Sequence, residues 1–309
     1  MADRYGIYCG SFTHAGGTLH LQQLDEQDLQ SGCNYKTIRP GGALNPHAHI
    51  LSTANPRARF RTCDCATLMT AMSSNFHLYC SGGHVMRYQK RLEGGAFAVG
   101  SDHLIQSTAK GFLHVSSIDV DIDSNQGATF DLEYIPLSVA GENPIAESVG
   151  ENLDGAPIPA FGSQFFMGGN WLGASQTLGL VRMRIQPGLR IVARRSDGGV
   201  FPRSDGTSIV ARDPMIELHF LNAAISASAI GSFFMNALGA SIKSYLQRGT
   251  TAADGRIAAA TASHFRVVAS AGSWGPENLR VAGEDDAITV VRVMPTGDLT
   301  PTLGVALGV

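Results

Sequence analysis

The chain is short of charge and of the motifs that mark common enzymes. Only 16% of its 309 residues are Asp, Glu, Lys or Arg, and the net charge is −3. No Lys/Arg-rich tail is present, which excludes a dedicated polyanion binder of the basic-arm type. No Walker loop, GxSxG elbow, HExxH pair or Rossmann glycine fingerprint occurs, so the expectation is a protein that is not an enzyme and takes no cofactor. No basic-then-apolar leader opens the sequence, and no apolar run reaches the roughly 18 residues that a membrane span requires. A soluble protein made in a cytoplasm, without a membrane span, is expected. Cysteines are few and odd in number, at Cys9, Cys33, Cys63, Cys65 and Cys80, which argues against a secreted disulfide framework.

One further absence is local. Between Lys110 and Arg182 there is no Lys or Arg while Asp and Glu accumulate, and the next stretch carries Arg182, Arg184, Arg190, Arg194, Arg195, Arg203 and Arg212. Two regions of opposite sign can attract each other. Arg182, Arg184, Arg194 and Arg195 are therefore expected to meet acidic residues of another subunit.

What the chain does have is 36 glycines and 44% hydrophobic residues, a mix that suits a β-rich protein with many turns and enough apolar surface for one large or two ordinary cores. The clearest pattern lies at 112–139. Val115, Ile118, Val120 and Ile122 are interleaved with Asp119, Asp121 and Asp123; then Phe130, Leu132 and Tyr134 are interleaved with Asp131 and Glu133. With Ser124, Asn125, Gln126 and Gly127 as turn chemistry, this predicts a β-hairpin with one apolar face and one carboxylate stripe. Acidic residues have low strand propensity and like charges repel across a ladder, so something other than stability is expected to maintain the stripe.

Elsewhere, residues 1–56 read as an extended arm with short strands near 5–9 and 18–21. A short helix is predicted between a Thr62 or Asp64 cap and a stop at Ser73, Ser74 and Asn75, with Leu68, Met69 and Met72 on its apolar face. Strands follow at 76–80 and 84–89. A long amphipathic helix is predicted over 222–248 from Ile225, Ile230, Phe234, Leu238, Ile242 and Tyr245, and an apolar tail after Pro295 is a candidate for strand addition to a neighbouring subunit. RLEGGAF at 91–97 and RSDGGVF at 195–201, with collinear matches of 85–88 to 189–192 and 112–115 to 215–218, suggest an internal repeat. Two tandem β-sandwich or barrel domains are expected, at 1–153 and 154–309.

Spacing argues against a metal site. Asp121, Asp123, Asn125 and Gly127 resemble the start of an EF-hand loop, but the glycine comes one residue late and the flanks are strands. Cys63 with Cys65, and His47 with His49, lack the C-x₂₋₄-C spacing of structural zinc. No metal is expected. Asp121 and Glu133 are the acid and base of an alternative reading as a carbohydrate-active β-sandwich enzyme.

The repeated β unit, the acid-bearing hairpin and the flanking helix together resemble the tail tube proteins of long-tailed bacteriophages, across most of the chain after about residue 55. That resemblance implies a structural virion protein that assembles in the host cytoplasm as stacked rings and contacts other tail proteins. DNA passes through such rings without specific binding. Rings of six single domains are usual in that family, so two domains per chain imply rings of three chains, with six as the alternative. Asp119, Asp121, Asp123, Asp131 and Glu133 are then the expected lumen-facing residues, because carboxylates repel phosphate. A tail terminator, hub or capsid-associated protein is the alternative within the virion.

Overall fold

A computed structural model describes residues 4–21, 24–39, 41, 47–91, 103–123, 127–151, 164–196, 199–221, 236–250, 255–280 and 288–308. The fold is mainly β, built from antiparallel sheets. The largest has ten strands. From the first half of the chain it takes β3 (Leu24–Gln30), β6 (Arg57–Thr62), β7 (His77–Cys80), β10 (Lys110–Asp121) and β11 (Thr129–Leu137). From the second half it takes β15 (Leu180–Gln186), β18 (Met215–Phe220), β19 (Asn236–Ala237), β22 (Gly272–Arg280) and β23 (Ile288–Pro295).

Two five-stranded sheets share a core with it. One runs β12 (Ile145–Glu151), β9 (His103–Thr108), β8 (His84–Arg91), β1 (Arg4–His14), β2 (Gly17–Leu21). The other runs β24 (Thr300–Val305), β21 (His264–Ala269), β20 (Ile242–Arg248), β13 (Phe165–Leu172), β14 (Ser175–Thr177). Phe12 and Met86 of the first, Phe165 and Phe265 of the second, and Leu113, Phe130, Ile185 and Val291 of the large sheet belong to one apolar cluster. Each fully buried side chain of this size contributes roughly 1.5–3 kcal/mol. Helix α1 (Cys65–Met72) adds Leu68, Met69 and Met72 to the same cluster.

The hairpin at the centre, β10 with β11, has a phase slip that the sequence already carries. Leu113 and Val115 face the core, then Ile118 and Val120 do, so the apolar positions change from odd to even. A bulge between Val115 and Ser117 absorbs the extra residue. The opposite face therefore runs Phe112, His114, Ser117, Asp119, Asp121. Its first part is apolar and lies under a separate hairpin, β16 (Leu189–Ala193) with β17 (Thr207–Arg212): Ile191 packs on Phe112, Ile135 and Leu137. Its second part is charged.

The strand order occurs twice. In the large sheet the first half runs β3, β6, β11, β10 and the second runs β15, β18, β23, β22, both in the chain order one, two, four, three. The five-stranded sheets correspond in the same way, β2-β1-β8-β9-β12 with β14-β13-β20-β21-β24. Hairpin β4 (Asn34–Ile38) with β5 (Ala48–Thr53) follows β3 as the β16–β17 hairpin follows β15.

Register irregularities coincide as well. The bulge in β10 at Val115/Ser117 matches that in β22 at Pro276/Asn278, and the one in β1 at Ile7/Cys9 matches that in β13 at Met167/Gly169. Gly150 and Gly304, both at positive φ, are the extra residues of equivalent bulges in β12 and β24. Buried His103 and His264 begin equivalent strands. Each accepts a backbone N–H at Nδ1, from Lys90 at 3.1 Å and from Arg248 at 3.0 Å.

Several expectations change. The large sheet crosses the expected boundary: β10 is hydrogen-bonded to β15, and the boundary itself falls at 152–163, outside the described residues. Among the described residues no sheet closes on itself, so open sheets replace the barrel. The N-terminal segment is built into the sheets through β1, β2 and β3 rather than held out as an arm. Of the helix expected over 222–248, residues 222–235 lie outside the described residues, and Ile242 and Tyr245 stand on β20. That strand is covered on both faces, Ile242 and Leu246 on one and Tyr245 against Trp171 on the other, which hid its alternation. The apolar tail forms β24 and pairs with β21 of its own chain. The equivalent of β8 is β20 and that of β10 is β22, so the sequence matches of 85–88 to 189–192 and of 112–115 to 215–218 join strands that are not equivalent.

Candidate functional site

The outward face of the large sheet is a set of charged columns. Strand β6 places Arg57, Arg59 and Arg61 on this face, because Ala58, Phe60 and Thr62 are taken by the core. Strand β11 places Asp131 and Glu133 beside them, β10 adds Asp119 and Asp121, and β15 follows with Arg182 and Arg184. Glu217 and His219 of β18 and Arg292 of β23 continue the series.

Acids on the two strands of the hairpin do not oppose each other. Asp119 stands across from Thr129, Asp131 from Ser117 and Glu133 from His114. Asp119, Asp131 and Glu133 each meet a base on the outer neighbouring strand instead. Arg182 donates from Nε to Asp119 Oδ1 at 3.0 Å and from Nη2 to Oδ2 at 2.8 Å, and Arg184 Nε lies 4.0 Å from the same carboxylate. Arg61 Nε donates to Asp131 Oδ1 at 2.8 Å, and Ser117 Oγ donates to Oδ2 at 2.7 Å. Arg57 pairs with Glu133. Glu217 lies 2.7 Å from His219 and 3.8 Å from Arg292. The hydrogen bonds that it donates to Asp119 hold the Arg182 guanidinium above its usual pKa.

Between β3, β6, β11 and β15 the face is hollowed into an open groove of 570 Å³ whose lining includes Asp28, Arg59, Arg61, Asp131, Glu133 and Arg184. Where the face passes under the β16–β17 hairpin, His77 stacks on Phe112 at 5.4 Å and burial lowers the pKa of both His77 and His114.

Of the residues expected to line a passage, Asp119, Asp121, Asp131 and Glu133 share this face. Asp123 is exposed at the turn, where its N–H donates to Asp121 Oδ1 at 2.9 Å. The arginines expected to meet another subunit divide: Arg182 and Arg184 reach Asp119 of their own chain, while Arg194 and Arg195 are exposed beyond β16. Asp121 and Glu133 lie toward opposite ends of the hairpin, on the order of 20 Å apart along the strands, beyond the reach of a glycosidase carboxylate pair. His49 is engaged with Thr37 at 3.1 Å and Cys65 donates to the Ala128 carbonyl at 3.4 Å. Among the described residues no group of three His, Cys, Asp or Glu side chains is placed to hold a metal, and no helix is long and apolar enough to cross a membrane.

Sequence reasoning missed the basic columns at Arg57, Arg59, Arg61 and Arg292. A signal for the first was present, since RARFRT alternates arginine with core residues just as the hairpin alternates aspartate. Compared with protein-family models and with curated proteins, the sequence matches none.

Proposed function

We propose that the protein is a structural virion component of two tandem sandwich units, copies of which form the stacked rings of a bacteriophage tail tube with the charged sheet face toward the passage. The observation that carries this reading is the face itself: a broad solvated surface on which carboxylates are held by arginines of adjacent strands. A wall for DNA must not grip phosphate. Free lysines and arginines would bind it through counterion release, whereas arginines paired with Asp119, Asp131 and Glu133 have their charge offset by a carboxylate of the same wall. The passage in this reading is charge-balanced rather than uniformly acidic.

Negative-stain microscopy of the expressed protein tests it. Rings or stacked tubes are expected, binding duplex DNA no tighter than about 10⁻⁴ M at physiological salt, the weak end of non-specific affinity. A protein that stays monomeric at high concentration, or that retains DNA with a steep salt dependence, removes the reading.

A further inference from the structure

We infer that the seam joining the two halves inside one chain is repeated between chains, with a second copy of this protein as the partner. Inside the chain, one edge of β10 is shared. Its first part pairs with β7, and its last part, Ile118 to Asp121, pairs with β15. Strand β22 is the equivalent of β10, and its first part likewise pairs with β19 at Ser273 and Trp274. Its last part has no strand on that edge among the described residues. Strand β3 is the equivalent of β15, with β6 on one side and, among the described residues, no strand on the other. Among the described residues, the two edges that meet within the chain thus have no strand beside them at their equivalent places. Open edges are templates for strand addition.

The bulges fix the register of the copied seam. Within the chain, Asp119 stands opposite Arg184. Counting from the matched bulges of β22 and β3, the same position is Arg280 of one copy opposite Asp28 of the next. Ile118 opposite Ile185 becomes Leu279 opposite Leu29 in the same transfer.

A second observation points to the same contact. The β16–β17 hairpin crosses the inner seam and seats Ile191 on the other half. Its equivalent, the β4–β5 hairpin, has Tyr35 at the position of Ile191, and Tyr35 is 64% exposed. Carried across the outer seam, Tyr35 is covered by the neighbour's β22–β23 end, near Met294. Such a head-to-tail contact forms a ring where the rotation closes. The inference shares the ring with the proposed function but not the cargo.

Cysteine pairing tests it. Asp28→Cys and Arg280→Cys are made separately in a Cys33→Ser background, the other native cysteines being buried. Directly opposed residues in an antiparallel ladder are close enough to form a disulfide. Under mild oxidation the mixture of the two variants is expected to give linked dimers, and neither variant alone. Tyr35→Glu, on a side chain that the isolated chain leaves exposed, is expected to weaken self-association on the order of tenfold or more with unchanged circular dichroism. Rings that form without cross-links in the mixture overturn the seam and leave the ring standing; a chain that stays monomeric overturns both.

Discussion

The two halves of the molecule agree in backbone and disagree in charge. In the first, β3 carries Asp28, β6 the three arginines, and β11 and β10 the acids; in the second, β15 carries arginines, β18 Glu217 and β23 Arg292. The sign of nearly every column is inverted while strand order and bulges are kept. Positions that fix the backbone, such as a bulge glycine or a buried histidine holding an N–H, have few alternatives. Positions on a solvated ladder need only the opposite sign on the next strand, so a whole sheet face can invert without losing an attraction. Inversion also makes unlike halves complementary where they meet, at Asp119 with Arg182 and Arg184.

The sharpest way to break the backbone half of this comparison is at the glycines that open β10 and β22. Gly111 and Gly272 occupy equivalent places. A Cβ on Gly111 would run into the ring of Tyr134, which is fully buried and held through its hydroxyl by Thr108 at 2.6 Å. Gly272 has φ 150° and would press on the Met294 carbonyl. Gly111→Ala is expected to cost about 3 kcal/mol, at the upper end for overpacking a core that cannot yield, and Gly272→Ala to be destabilising as well. Urea unfolding measures both. A loss below about 0.5 kcal/mol for Gly111→Ala would contradict the packing described.

A second contrast concerns one buried position. His84 of β8 is equivalent to Ile242 of β20, and both are buried. His84 lies among the rings of Phe12, Phe60 and Tyr134, with neither ring nitrogen hydrogen-bonded, and burial pushes its pKa down to about 3. The folded state therefore binds its proton less readily than the unfolded chain. Its contribution is fully present above about pH 6.5 and is lost as pH falls toward 3, by about 2 kcal/mol at pH 5. His84→Ile, which copies the second half into the first, should flatten that dependence. Equal slopes for variant and parent between pH 7 and 5 would show that His84 does not titrate this way.

Much of this arrangement was legible in the chain, and the rest was hidden for identifiable reasons. The hairpin could be read because both strands and the turn are local, and the slip from Val115 to Ile118 even marks its bulge. Helix α1 was readable from Leu68, Met69 and Met72. The partners of the carboxylates were not, because Arg57 meets Glu133, and Arg182 meets Asp119, only after distant strands are placed side by side. The repeat was visible in kind but misaligned, since Gly-Gly turns match easily. The residues that do correspond, Gln89-Lys90 with Gln247-Arg248, His103 with His264 and Gly150 with Gly304, are single positions at changing offsets because the loops between them differ in length. Tyr245 misled for a different reason: on a strand covered from both sides, apolar residues fall at any spacing, helical spacing included.

The smallest expected effect bears on the charge half of the comparison. Asp119→Asn removes the carboxylate that holds Arg182 in two hydrogen bonds and leaves Arg182 and Arg184 facing an uncharged amide. The pair is partly solvated, with side-chain exposures of 43% and 23%, so water screens it and the loss should be about 1 kcal/mol even with bidentate geometry. Glu217→Gln, which removes the acid between His219 and Arg292 in the second half, should cost a similar amount. Both losses should shrink as salt is raised through the range where the Debye length falls below the pair spacing. A double-mutant cycle of Asp119→Asn with Arg182→Gln isolates the pairwise part. If the coupling is nil in low salt, the inverted columns merely coexist, and the two halves meet at β10 and β15 for reasons of backbone pairing and core packing alone.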